Sequence, residues 1–218
     1  MNKKAVTNLP PQNPYQDAYK LACDALRTAD IKERSEKSGA ALEEDTSGTY
    51  LLKLKFLNEL YQIRFPDIDI TYHSLDREVS IWSKILLLHY IINSQGSPLT
   101  GEWIDFRQVP GGSNYYPAFV NRSQKPLRDF FGNQLDLLEE AARSLGGERA
   151  DYGDRAVIIP ALPRVPIALV FWVGDEEFSP EANILFDSTI SAYLSTEDIA
   201  VLSQQIVFAM IKWAKSKS

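Results

Sequence analysis

Leu51-Leu52-Lys53-Leu54-Lys55-Phe56-Leu57-Asn58-Glu59-Leu60-Tyr61-Gln62-Ile63-Arg64-Phe65 is where the period of the chain changes from helical to two. Leu52, Leu54 and Phe56 alternate with Lys53 and Lys55, and Tyr61, Ile63 and Phe65 alternate with Gln62 and Arg64. Successive side chains of a strand point to opposite faces, so each run predicts a strand with one dry face and one wet face. After the turn signal Pro66-Asp67, Ile68, Ile70 and Tyr72 alternate with Asp69 and Thr71, which completes an antiparallel meander.

Helical spacing lies on both sides of this meander. Ala18, Leu21, Ala22, Ala25 and Leu26 recur at intervals of three and four and predict a first amphipathic helix starting near Tyr15. Residues 1–14, with Pro10, Pro11 and Pro14, read as a disordered tail. Residues 30–48 mix charges of both signs and contain Gly39 and Gly48. They read either as a linker between the N-terminal helical segment and the main body, or as a short helix packed through Ile31 and Leu42. Downstream, Ser74 is a candidate N-cap for a helix carrying Val79, Trp82, Ile85, Leu86 and His89, which Gly96 and Pro98 end.

Further helices are predicted near Pro126 to Phe131 and Leu135 to Leu145. The apolar runs Ala156–Ile159 and Val165–Val173 predict a central hairpin buried on both faces, and Asn183–Asp187 a further strand. Ser195 followed by Asp198 gives a capping box for a last helix whose buried stripe is Ile199, Leu202, Ile206, Ala209 and Trp213. Strands and helices are segregated rather than alternating. The expected class is therefore α+β, a largely antiparallel sheet with packed helices, N-terminal and C-terminal helices included, in a single domain over 15–215.

Composition narrows the function. The 218 residues are 44% hydrophobic, enough to bury a full core, and a formal charge of −6 opposes long-range attraction to nucleic acid or anionic lipid. Cys23 is the only cysteine, so the chain can build no internal disulfide and no intrinsic iron–sulfur cluster. Met1 to Pro14 lack the apolar run of a signal peptide, and no apolar stretch approaches the roughly 20 residues of a membrane span. A cytoplasmic chain with neither membrane nor nucleic acid as partner is expected.

Three groups of residues can carry chemistry. Phe106 to Arg122, read as an irregular loop, holds Gly111-Gly112, whose backbone can approach a ligand, Arg107 and Arg122, which can pair with a carboxylate or phosphate, and the aromatic surface of Tyr115, Tyr116 and Phe119. The competing reading is a turn whose arginines pair with the chain's own acids. Asp175-Glu176-Glu177, joined in space by Asp187, could bind a hard cation or do acid–base work; a solvated turn beside Gly174 is the plainer alternative. His89 shares a helix face with Trp82 and Leu86, where an imidazole can ligate a metal or a tetrapyrrole-type cofactor, or stand as a hydrogen-bonded core residue.

The chain resembles a family known as domain of unknown function 3786, found mainly in anaerobic bacteria and archaea. The resemblance rests on Leu87-Leu88-His89-Tyr90, Gly101-Glu102-Trp103-Ile104, Phe106-Arg107, Pro110-Gly111-Gly112, Tyr115 to Phe119, Arg122, Pro126-Leu127, Phe131-Gly132, Gly153-Asp154, Leu162-Pro163, Trp172 with Gly174 to Phe178, and Leu185-Phe186-Asp187. It covers roughly Tyr15 to Ile211. It implies no activity. Some relatives are joined to a four-cysteine iron–sulfur segment like that of corrinoid iron–sulfur proteins. The resemblance therefore implies a link to corrinoid metabolism, with any cluster on an iron–sulfur or corrinoid protein partner. Two expectations follow. One is a binding or accessory module for a small anionic ligand, or a corrinoid or tetrapyrrole, held by Arg107, Gly111, Gly112, Tyr115 and Arg122 with His89 as axial or neighbouring group. The alternative is a metal-assisted hydrolase or lyase using Asp175, Glu176 and Asp187.

Overall fold

The computed structural model describes residues 14–174 and 178–217. The tail expected over 1–14 lies, except for Pro14, outside the described residues. Helices α1 (Pro14–Arg27) and α2 (Ile31–Ser38) lead into β1 (Ala41–Glu44), β2 (Tyr50–Phe56), β3 (Glu59–Phe65) and β4 (Asp69–Tyr72), which pair antiparallel in that order. Leu52 lies opposite Ile63 and Leu54 opposite Tyr61, so the alternating apolar residues meet across the pair on the buried face. Leu57 and Asn58 make the two-residue turn, with φ of 49° and 66°. Positive φ at both positions is the hairpin geometry that matches strand twist. Residues 30–48 hold α2 and β1, with Ile31 buried and Leu42 packed against the core.

Helix α3 (Ile81–Asn93) follows, and Leu86, Leu87, Leu88, Tyr90 and Ile91 on it are all buried. Its start is later than the sequence reading placed it. Ser80, not Ser74, is the N-cap, because the Ser80 side chain accepts from the Ser83 amide and Ser74 to Ser80 stay outside the helix. Tyr90 ties three elements together: its hydroxyl donates to the Ser38 carbonyl at the end of α2 and accepts from the Arg164 amide.

After β5 (Trp103–Asp105) comes the segment expected to be irregular. The structure corrects this. Phe106–Gln108 is a 3₁₀ turn, α4 (Gly112–Phe119) is helical, a π turn covers Val120–Gln124, and α5 (Lys125–Phe131) continues without a break. Proline at 126 explains the π turn, since it has no N–H for the Arg122 carbonyl and its ring crowds that carbonyl. The helix widens just before it, so that the Lys125 amide donates to Val120.

Helix α6 (Leu135–Ser144) precedes the second sheet, whose remaining strands are β6 (Glu148–Ala150), β7 (Arg155–Leu162), β8 (Val165–Trp172) and β9 (Glu181–Asp187). Its order is β5-β9-β8-β7-β6, antiparallel throughout, with β8 at the centre as its unbroken apolar run requires. One side of β8 presents Ile167, Leu169 and Phe171 to the main core. On the other, Ala168 and Val170 cluster with Ala156 under the partly buried Trp103, Ile158 and Leu185. The antiparallel strands thus divide into two sheets rather than one. They turn apolar faces to one continuous core, and the Leu57 amide at the tip of the first hairpin donates to the Ala161 carbonyl of β7 at 3.0 Å.

The chain ends with α7 (Thr196–Lys215), opened by the expected box in which Ser195 caps the Asp198 amide and the Asp198 carboxylate reaches back to Ser195. Ile199, Leu202, Ile206 and Met210 are fully enclosed on its inner stripe. Ile206→Ala therefore lowers unfolding stability by about 2–5 kcal/mol in urea titration. A change within about 0.5 kcal/mol would mean that the stripe is not core.

Candidate functional site

The residues singled out around Gly111-Gly112 divide between two places. Gly111 has φ 75°, and a side chain on Gly112 would place its Cβ 1.8 Å from the Phe106 carbonyl oxygen. The glycines let the 3₁₀ turn fold back onto α4, where the Phe106 and Phe119 rings stack at 4.1 Å and both are buried. Arg107 faces away from this core. It pairs with Asp105 at 2.7 Å and its guanidinium lies 4.9 Å from the centre of the Tyr116 ring. With Lys125 and Arg128 it lines a polar depression of its own.

Tyr115 and Arg122 face elsewhere. They line a cleft of about 400 Å³ together with Tyr15, Ser80, Trp82, Glu197, Val201, Gln204, Gln205 and Phe208. The walls are aromatic: Tyr15 of α1 and Trp82 of α3 lie with ring centres 3.9 Å apart, and both, like Phe208, are substantially exposed. Exposed large apolar side chains gathered in one place, unlike scattered ones, mark binding surfaces. α7 supplies Val201, Gln204, Gln205 and Phe208, at helical spacing away from its inner stripe.

Two polar groups in the cleft are incompletely used. Arg122 donates to the Tyr115 hydroxyl at 2.9 Å and makes no ion pair among the described residues. Gln205 accepts from the Ser83 hydroxyl at 3.2 Å, and that hydroxyl accepts in turn from Ser80. Its amide nitrogen is shielded from solvent without a partner. Exchanging the amide nitrogen and oxygen would leave the oxygen unpaired instead, so one half of the group is unsatisfied either way. An unpaired buried amide costs about 1–3 kcal/mol. The π turn that carries Arg122 is itself a feature frequent at functional sites.

His89 does not line this cleft. Half-buried between α3 and α7, it meets Asp198 at 2.8 Å, Nδ1 to Oδ1, while the second Asp198 oxygen accepts from the Ser195 hydroxyl. The hydrogen bond to Asp198 raises the imidazole pKa above its ordinary value; burial opposes this, and the charges of Asp198 and Glu197 reinforce it. The serine bonds the carboxylate rather than the imidazole, so the trio braces a helix start and forms no nucleophilic relay.

Asp187 is committed to the loops beside it. Its oxygens accept from the Thr100, Gly101 and Thr189 amides and from the hydroxyls of both threonines. Burial acts to raise its pKa, but these hydrogen bonds together outweigh burial and hold the carboxyl below its ordinary value. Asp175 and Glu176 lie outside the described residues. Among the described residues no group of three or more histidine, cysteine, aspartate or glutamate side chains is placed to hold a metal ion, and no helix is long and apolar enough to cross a membrane.

Sequence reasoning reached Tyr115 and Arg122 but missed Tyr15, Trp82, Glu197, Gln204, Gln205 and Phe208. The available signal was Phe208, a large apolar residue off the buried stripe of α7, aligned with Val201 and Gln204. A family model described as a domain of unknown function (DUF3786) matches residues 30–209 of the chain. No curated protein and no solved structure matches it.

Two outcomes test this geometry. Gly111→Ala costs about 1–2 kcal/mol, the penalty of the left-handed conformation. Gly112→Ala costs more, because a backbone carbonyl cannot move aside as a side chain can; equal denaturation midpoints would contradict the close approach. The second concerns pH. The folded pKa of His89 is raised, so the stability from its charged pairing is fully present below its unfolded value near 6.5 and is lost as pH rises through the folded value. Wild type therefore exceeds His89→Gln in melting temperature most at mildly acidic pH, and the gap narrows as pH rises through the folded value. A gap that widens with rising pH would refute the pairing.

Proposed function

The chain belongs to the DUF3786 family, which brings no assigned activity, and we propose that it is a ligand-binding module whose site is the aromatic cleft between α1, α3, α4 and α7. The ligand is planar and anionic. Its flat face meets Tyr15, Trp82 and Phe208, and its charge meets Arg122, with the Tyr115 hydroxyl fixing the guanidinium. The observation that carries this reading is that Arg122, which forms no ion pair among the described residues, lines a cleft walled by exposed aromatics. Arginine pairs readily with a surface acid, and Arg107, Arg128 and Arg143 each do so here.

Size limits the choice of ligand. Small-molecule sites run from about 300 to 1,000 Å³, so a cleft of about 400 Å³ suits one or two fused rings. A corrinoid or tetrapyrrole could seat only an edge there. His89 is not among the lining residues, so the cleft does not fit such a group with an axial histidine. An iron–sulfur or corrinoid protein as partner finds no feature in this geometry that favours it. The metal-assisted hydrolase or lyase has none among the described carboxylates either, since Asp187 is spent on its loops.

Titration with 2-naphthoate, a planar acid of two fused rings, tests the reading. Arg122→Gln weakens binding about tenfold or more, equivalent to about 1.4 kcal/mol, and leaves the melting temperature of the free protein nearly unchanged because the side chain is exposed. Arg107→Gln binds like wild type. Equal losses for the two arginine variants, or no binding to wild type, would contradict the assignment.

A further inference from the structure

The polar groups of the cleft divide into those the fold has taken up and those it leaves open. Ser80 and Gln205 are both bonded to Ser83, which holds them in place. Arg122 and Glu197 are exposed and bring opposite charges into the same space. They are not paired with each other, and neither has another ion-pair partner among the described residues. The Glu197 charge acts on His89, but that imidazole is bonded to Asp198.

A ligand with a negative charge alone satisfies Arg122 and is repelled by Glu197, and one with a positive charge alone has the reverse fault. Both side chains are satisfied by a ligand that carries both charges, a carboxylate for the arginine fork and an N–H cation for the glutamate. The walls add a third requirement. Tyr15, Trp82 and Phe208 offer aromatic surface, and a volume of about 400 Å³ holds one or two rings. An aromatic α-amino acid meets all three, with its carboxylate and ammonium on one carbon beside a ring.

We infer that the cleft binds a free aromatic α-amino acid. The carboxylate meets Arg122, the ammonium meets Glu197, and the ring lies against Tyr15, Trp82 and Phe208. An aromatic residue inside a polypeptide has lost both charges to peptide bonds and leaves Arg122 and Glu197 without partners. The inference rests on the cleft reading above: it keeps the ring and the carboxylate of that ligand and adds an ammonium.

Calorimetric titration of the full chain with L-phenylalanine, L-tyrosine and L-tryptophan tests it, each beside its deaminated acid and its decarboxylated amine. At least one of the amino acids binds about tenfold or more tightly than both of its own analogues. Glu197→Gln weakens that amino acid about tenfold and does not weaken its deaminated acid, whereas Arg122→Gln weakens both and spares the decarboxylated amine. Both side chains are exposed, so the variants fold, and the melting curve of each checks this. Amino acids that bind no tighter than one of their analogues, or equal losses of amino acid and deaminated acid in Glu197→Gln, overturn the inference. Binding of 2-naphthoate that depends on Arg122 then leaves the aromatic cleft in place, and absence of binding by every probe, 2-naphthoate included, overturns both.

Discussion

Everything else in the structure follows from a helix that has almost no polar face. Leu86, Leu87, Leu88, Tyr90 and Ile91 point in several directions around α3, and all are buried. Such a helix cannot rest on one surface; it has to be enclosed. α1, α2 and α7 all pack on it, and Tyr90, through Ser38 and the Arg164 amide, ties it to α2 and to the hairpin of the second sheet. Only its ends and one stripe reach solvent. Trp82 in the first turn and His89 two turns on are left beside α7, the first as a wall of the cleft and the second as a brace on Asp198.

The cleft is thus a by-product of enclosure. α1 and α7 both pack against α3, and their exposed side chains Tyr15 and Phe208 join Trp82 around the cleft. The stretch from Phe106 to Gln124 completes it by folding on itself: the Gly112 backbone sits against Phe106, the Phe106–Phe119 stack locks the helix, and the π turn before Pro126 carries Arg122. Thr196 at the start of α7 donates to the Pro110 carbonyl, so the segment is also fastened to the helix that forms another wall.

Much of this was legible in the sequence because its cause is local. Alternation in Leu51 to Phe65 gave strands and pairing sense, and Ser195 with Asp198 marked the last helix to the residue. What was not legible depends on packing at a distance. The Gly111-Gly112 pair reads as an open loop, yet Gly112 is needed for close approach to the Phe106 carbonyl earlier in the chain, while Gly111 supplies the positive φ. The short β1 and β6 carry no alternating apolar pattern and are strands only because β2 and β7 offer edges. The site divided for the same reason. Arg107 and Arg122 look equivalent in sequence, but the helix between them sends one to Asp105 and the other to the aromatic cleft.

The claim that this cleft is where the chain binds is tested most directly by the indole N–H signals of its four tryptophans. In a nitrogen-15 correlation spectrum, with signals assigned from single Trp→Phe variants, addition of 2-naphthoate moves the Trp82 resonance saturably and leaves Trp103 and Trp172 in place. Saturable binding with Trp82 unmoved, or with the largest shift at Trp103 or Trp172, would contradict the account and place the site on the second sheet or elsewhere.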